Sequence, residues 1–158
     1  MDVRIDSEQG KFKFRVCGIL KVNEKYLTVK IQGNDFYCLP GGHVELGEDT
    51  DHAVLREMKE ELGYEVKIDR LVSIVQNFFK TKDGKIFHEL GYYYIVEPKD
   101  IRDVNLDDYV LMENDKGKVV RLEFKWFTLE ELQIAKFLPE SLKSQLNNLK
   151  LESIITRD

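Results

Sequence analysis

The sequence predicts a mixed α/β (α+β) fold in which strands flank one strongly amphipathic helix, and three observations predict it. Residues 11–39 alternate apolar and polar in the period-2 manner of strands, residues 49–63 switch to a helical period of 3.6, and residues 66–96 return to β-branched and aromatic runs. With 158 residues, 42% of them hydrophobic and 34% charged, the chain has the make-up of one globular domain spanning residues 1–158. A chain of this size buries about 68–70% of the surface its unfolded form exposes, so a core forms without disulfides or a structural metal.

In chain order, Phe12, Phe14 and Val16 alternate with Lys11, Lys13 and Arg15, and the run turns wholly apolar through Ile19. Asn23-Glu24 separates it from the strand Tyr26–Ile31, which suggests a hairpin. Gly33-Asn34-Asp35 marks a turn, and Phe36–Leu39 reads as a short strand stopped by Pro40-Gly41-Gly42. From Asp49 to Leu62, Ala53, Val54, Met58 and Leu62 recur at helical spacing, and Gly63 is placed to end the helix. Strands follow at Val66–Phe79 and Ile86–Val96 around the turn Lys82-Asp83-Gly84-Lys85. Lys99–Lys118 is polar and acidic, with a turn at Glu113–Gly117 and a middle that reads equally as loop or short helix. Leu122–Phe127 alternates again, Thr128-Leu129-Glu130-Glu131 carries a capping box, and a last amphipathic helix is expected from Pro139 at N1 through Leu142, Leu146 and Leu149.

The charge balance, 24 Lys+Arg against 29 Asp+Glu for a net of -5, disfavours a duplex nucleic-acid partner. Apolar runs such as Val16–Leu20 are far shorter than the roughly 18 residues of a membrane span. The first residues resemble neither a secretory signal nor a transit peptide, so a cytoplasmic location is expected. Cys17 and Cys38 have no metal-ligand spacing and read as reduced core residues.

Chemistry concentrates between Gly42 and Gly63. Successive helical residues are rotated by about 100°, so Glu57, Glu60 and Glu61 share one face. Like charges four apart cost roughly 0.2–0.5 kcal/mol per pair, and a helix C-terminus already carries partial negative charge. Helix energetics alone therefore does not ask for this convergence. A hard divalent cation reverses the sign, because Mg²⁺ takes carboxylate oxygens together with water and substrate phosphates. Arg56 lies beside this face, within reach of a bidentate contact to Glu48 in the preceding loop. Gly41 and Gly42 allow the backbone to turn sharply and approach a ligand. Composition alone fits a solvated Glu/Lys face, with Lys59 and Arg56 offsetting the repulsion; the spacing of the whole segment overturns that reading.

That segment resembles the signature of the Nudix (MutT-like) hydrolases, Gly-x5-Glu-x7-Arg-Glu-U-x-Glu-Glu-x-Gly-U with U a bulky apolar residue. Gly42, Glu48, Arg56, Glu57, Met58, Glu60, Glu61 and Gly63 fill it, and only Tyr64 departs, aromatic where an aliphatic residue is usual. The entry Leu39–Gly42 and the distal Trp126–Leu132 also look like the family's surroundings. The resemblance implies an α/β/α sandwich with a mixed sheet and a catalytic loop-helix-loop. It implies Mg²⁺-dependent (or Mn²⁺-dependent) hydrolysis of the diphosphate linkage in a nucleoside diphosphate joined to another group, such as a nucleoside triphosphate or ADP-ribose. Glu57, Glu60 and Glu61 would hold the metal, Glu57 or Glu61 would serve as base, and Glu48 would orient Arg56. Family members recruit a further acid from outside the signature, and Glu89 is the candidate, facing the same side as Phe87 and Tyr93, with Glu97, Asp100 and Glu113 as rivals. Phe36, Tyr37 and Phe79 are candidates to stack on a nucleobase. The alternative is a catalytically weak Nudix domain that binds a nucleotide as a regulator, and a homodimer is left open.

Overall fold

The structure, a computed structural model, describes residues 1–81, 83–148 and 150–157. Lys82 of the expected 82–85 turn and Leu149 of the expected last helix lie outside the described residues. The strands are β1 (Arg4–Asp6), β2 (Gly10–Val22), β3 (Lys25–Ile31), β4 (Gly41–His43), β5 (Val66–Lys80), β6 (Ile86–Pro98), β7 (Tyr109–Asp115), β8 (Lys118–Thr128) and β9 (Glu152–Arg157). The α-helices are α1 (Thr50–Leu62), α2 (Leu129–Ile134) and α3 (Ser141–Asn147), and a 3-10 turn spans Ile101–Asp103.

The strands form a mixed sheet in the order β7-β8-β3-β2-β6-β5-β9, with β1 and β4 paired to β2. β2–β6 and β5–β9 are parallel and the other pairs antiparallel. Asn23 and Glu24 both adopt positive φ, 50° and 62°, the two-residue turn whose twist matches a hairpin. β2 and β3 pair only next to that turn, through Lys21↔Tyr26 and Val22↔Lys25, and then diverge. The chain after Tyr37 fills the opening: Cys38 bridges to Val29 of β3, and Gly41–His43 pair with Cys17–Arg15 of β2.

Alternation along β2 explains the layers. Val16 and Leu20 point to the face that packs α1 through Ala53, Val54 and Met58, while Cys17 and Ile19 point to the face closed by Leu132 of α2 and Leu142 and Leu146 of α3. Both faces are buried at this level, giving the expected α/β/α sandwich. Asp49 caps α1 by accepting from the His52 N–H, and Gly63 ends it at φ 79° with its N–H on the Lys59 carbonyl. The capping box at Thr128 and Glu131 is formed.

Three expectations are corrected and two strands are added. The short strand expected at Phe36–Leu39 reduces to single bridges at Tyr37 and Cys38, and the strand begins beyond Pro40, at Gly41. The glycines are in the strand because it crosses β2 closely: a Cβ on Gly41 would lie 2.0 Å from the Val16 carbonyl oxygen. The acidic stretch after Lys99, left open between loop and short helix, opens with a one-turn 3-10 helix at Ile101–Asp103 and then forms β7, which its turn at Asn114–Gly117 folds back onto β8. Helix α3 starts at Ser141, not at Pro139, and stops at Asn147. In its last turn the buried Gln145 donates its side-chain amide to the carbonyls of Val72 and Lys150. β1 and β9 carry no pattern of their own; each is short, lies at an edge and is defined by its neighbour.

Two stability effects follow. Met58 is 0% exposed and its thioether lies against Gly18, so Met58→Ala is expected to lower unfolding stability by about 2–5 kcal/mol in urea titrations. His43 shares its sheet face with Arg15, Lys13 and Arg4, with Asp2 as its acidic neighbour, and burial together with those cations pushes its pKa down from 6.5 to about 4. The unfolded chain therefore takes up a proton that the folded one refuses, so stability present above pH 6.5 falls by up to about 3 kcal/mol as the pH drops to 4. His43→Gln should flatten that limb of a stability–pH curve.

Candidate active site

The site is built on the outer edge of β4. Gly42 exchanges ladder bonds with Val16, so the backbone groups of Gly41 and His43 face away from β2. With no further strand there, side chains of α1 take those positions: the Gly41 N–H donates to Glu61 Oε2 at 3.2 Å, and the His43 carbonyl accepts from Arg56 Nη2 at 3.0 Å. The helix is thereby bound to the strand edge by the side chains that carry charge. Gly42 is required for the approach, because a Cβ there would stand 2.1 Å from Glu57 Oε2.

Arg56 organises the loop. Its Nε donates to Glu48 Oε1 and its Nη2 to Glu48 Oε2, each at 2.8 Å, a two-pronged contact. Glu48 also accepts from the Glu45 N–H at 3.0 Å, which folds residues 45–48 back on themselves. The Arg56 hydrogen bonds hold the Glu48 carboxyl below its ordinary pKa, so it stays ionised. Arg56 Nη1 reaches Glu57 at 2.7 Å and Glu60 at 3.5 Å.

Glu57 is 14% exposed and Glu60 59% exposed, so the three carboxylates of the helix face differ in environment. Burial raises the Glu57 pKa against the pull of Arg56. Burial pushes Glu61 up to about 8, with Glu57 and Glu113 adding like charge, against Arg15 and the Gly41 N–H. Glu61 as a whole residue is half-buried. Among the described residues no three acidic, histidine or cysteine side chains form a ready cation cage. The donor chemistry nevertheless suits one: two carboxyl groups are held at a glycine strand edge where burial raises both pKa values, so a cation would favour their ionised forms, and the oxygens are the hard ligands that Mg²⁺ and Mn²⁺ take.

Glu89 is elsewhere. It lies on the opposite sheet face from α1, where its neighbour is Arg15 at 3.8 Å. Arg15 stands between the two regions, influencing both Glu61 and Glu89, and residue alternation marked it only as the polar side of a strand. Phe79 stacks on Phe87 at 4.9 Å, at the foot of the Glu89 face. Tyr37 packs edge-on to Phe127 at 5.0 Å and bonds through its backbone to Lys136 and Leu138, and Phe36 is half-buried beside it. The aromatic candidates are thus split between two regions.

A family model described as NUDIX domain matches residues 12–146. An ADP-ribose pyrophosphatase of Methanocaldococcus jannaschii is 27% identical over 125 residues, covering 70% of this chain and 72% of that protein. An 8-oxo-dGTP diphosphatase of Haemophilus influenzae is 36% identical over 76 residues, 46% of this chain and 56% of that protein. Among solved structures, a mutator MutT protein from Bacillus halodurans superposes with a TM-score of 0.62 at 16% identity, over 92% of this chain and 89% of that one. An ADP-ribose pyrophosphatase from Streptococcus suis superposes at 0.57 and 15% identity, over 91% and 98%. The match takes in the whole segment from Gly42 to Gly63 folded onto the β4 edge, and the chain belongs to the NUDIX domain family of hydrolases.

Proposed function

We propose that the chain, as one domain over residues 1–158, hydrolyses the diphosphate linkage of a nucleoside diphosphate joined to another group. In this reading Glu57 and Glu61 hold a divalent cation, Mg²⁺ or Mn²⁺, with Glu60 at the solvent-facing rim. The observation that carries it is the pair of partly buried carboxylates, Glu57 and Glu61, fastened to the Gly41–Gly42 edge with raised pKa values. When bound, such a cation supplies positive charge for the phosphoryl oxygens and makes water more acidic.

The chain's own groups do the rest. Gly41 and Gly42, having no side chains of their own, let the Glu57 and Glu61 carboxyl groups lie directly against the strand edge, where a cation between them would meet a phosphate. Arg56, clamped by Glu48, fixes the direction of Glu57. Glu57 or Glu61 takes the proton of the attacking water; its oxygen bonds to one phosphorus and the bridging oxygen leaves with the other. Glu89 acts at a distance from this step, by holding Arg15. The relatives named for ADP-ribose and for 8-oxo-dGTP support a nucleotide-derived substrate. Among the described residues no helix is long and apolar enough to cross a membrane.

Two measurements check this. Glu57→Gln and Glu61→Gln should each cut turnover of a Mg²⁺-nucleotide panel (ATP, oxidised-purine triphosphates, ADP-ribose, dinucleotides) by about 10²–10⁴-fold. They should also weaken Mn²⁺ binding in calorimetry, while unchanged turnover and affinity in both variants would reject the site. Arg56→Lys keeps the charge but loses the fork to Glu48, and kcat/KM should fall roughly tenfold or more, in line with a lost charged hydrogen bond. Mg²⁺-nucleotide binding with no turnover in the unaltered chain would favour the regulator instead.

A further inference from the structure

Buried polar atoms without a partner are rare in folded proteins, because each costs its full desolvation. Among the described residues five such side-chain atoms occur: Arg15 Nε, His43 Nε2, Ser73 Oγ, Asn77 Oδ1 and Ser141 Oγ. The strand registers place the first four on one face of the sheet. Cys17, Tyr93 and Ser73 form one row across β2, β6 and β5; Arg15, Gly91 and Val75 form the next, with His43 beside Arg15 on β4; Lys13, Glu89 and Asn77 form the third. The side chain missing at Gly91 leaves room for the Tyr93 ring, which lies across it and ends the core beneath α2 and α3. Past that ring the same face is polar, and Asn77 within it is only 8% exposed.

Its charge is unbalanced as well. Lys11 has Asp6 at 3.2 Å, and Arg15 has Glu89 at 3.8 Å. Lys13 is half-buried in the middle of the strand, and among the described residues no carboxylate stands within ion-pair distance of it; its neighbour is the Phe87 ring at 5.4 Å. Burial and Arg15 both press on its charge. Glu89, its cross-strand partner, and Asp6 favour that charge from beyond ion-pair distance. A partly desolvated lysine with no direct ion pair, beside an arginine with an unused N–H, is completed by an anion. This face is turned away from α1 and runs from β2 across β6 to β5; Arg15, paired with His43 of β4 and acting on both Glu61 and Glu89, is the group that joins it to the edge carrying Glu57 and Glu61.

We propose that Lys13, Arg15 and Asn77, with Glu89 holding the guanidinium and Phe87 as the wall, form the subsite for the group beyond the diphosphate, and that this group is a phosphate. The preferred substrate class is then a nucleoside triphosphate over a nucleoside diphosphate joined to an uncharged sugar. The inference rests on the proposed hydrolysis for its substrate, but the anion subsite exists or fails independently of turnover. Lys13 Nζ and Arg15 Nε donate to the phosphate oxygens, and the Asn77 amide, whose two ends are interchangeable by rotation, donates a third hydrogen bond.

ATP and ADP-ribose share ADP and differ only in the appended group, so they form the test pair. With the full chain and Mg²⁺, kcat/KM is measured on both for the unaltered protein, Lys13→Met and Lys13→Arg. Lys13→Met should lower the ATP to ADP-ribose ratio by about tenfold, mainly through KM for ATP, and Lys13→Arg should restore it. In parallel, calorimetry with tripolyphosphate should show binding to the unaltered chain that weakens at least several-fold in Lys13→Met. A ratio that stays within twofold overturns the proposal. Should the unaltered chain hydrolyse neither compound, the hydrolase reading fails, and tripolyphosphate then decides the subsite alone: affinity lost in Lys13→Met upholds it, and equal affinity in the two proteins overturns it.

Discussion

The constraint on which the site depends is an unfinished strand edge. β4 is three residues long, pairs with β2 on one side and, among the described residues, has no strand on the other. Its outward backbone groups must still be satisfied, and a helix placed beside it does so with the Glu61 carboxylate and the Arg56 guanidinium. That solution draws ionisable groups to a low-dielectric edge where hydrophobic packing alone would not place them. Met58, on the buried side of the same helix, holds it against Gly18, so the position of the carboxylates is set by the core on one face and by the strand edge on the other.

The same edge explains why glycine is needed twice in succession. At Gly41 the neighbouring backbone excludes a Cβ, and at Gly42 the Glu57 carboxylate does. One is a requirement of sheet pairing and the other of the site, and together they bring strand and helix closer than side chains would permit. The loop that joins them, held by the Glu48–Arg56 fork, is ordered by charge with little apolar burial, since Glu45, Leu46 and Gly47 are all exposed.

Much of this architecture was legible in the sequence, and the legible parts have local causes. α1 announced itself through Ala53, Val54, Met58 and the Gly63 stop, the β2–β3 hairpin through Asn23-Glu24, and α2 through its capping box. The misplaced or missed elements are governed by partners distant in sequence. β4 is a strand because β2 accepts it, in spite of its Gly-Gly-His sequence, and β9 is a strand because β5 offers a free edge. At the site, Gly42, Glu48, Arg56 and Glu61 follow from spacing on one loop and helix. The alternation of β6 put Glu89 on the face of Phe87 and Tyr93, but its neighbour Arg15 is on another strand, and no spacing rule links residues 15 and 89. Arg15, Lys13 and Asn77 passed as ordinary strand polars for the same reason.

The central claim is that the carboxylates at the β4 edge are placed there for a divalent cation. Anomalous diffraction from crystals grown with Mn²⁺ addresses it directly, because the scatterer reports its own position. A peak between the Glu57 and Glu61 side chains beside Gly41–Gly42 is the expected result. Crystals with no peak there, and with Glu57 still on Arg56 and Glu61 still on the Gly41 N–H, would contradict it.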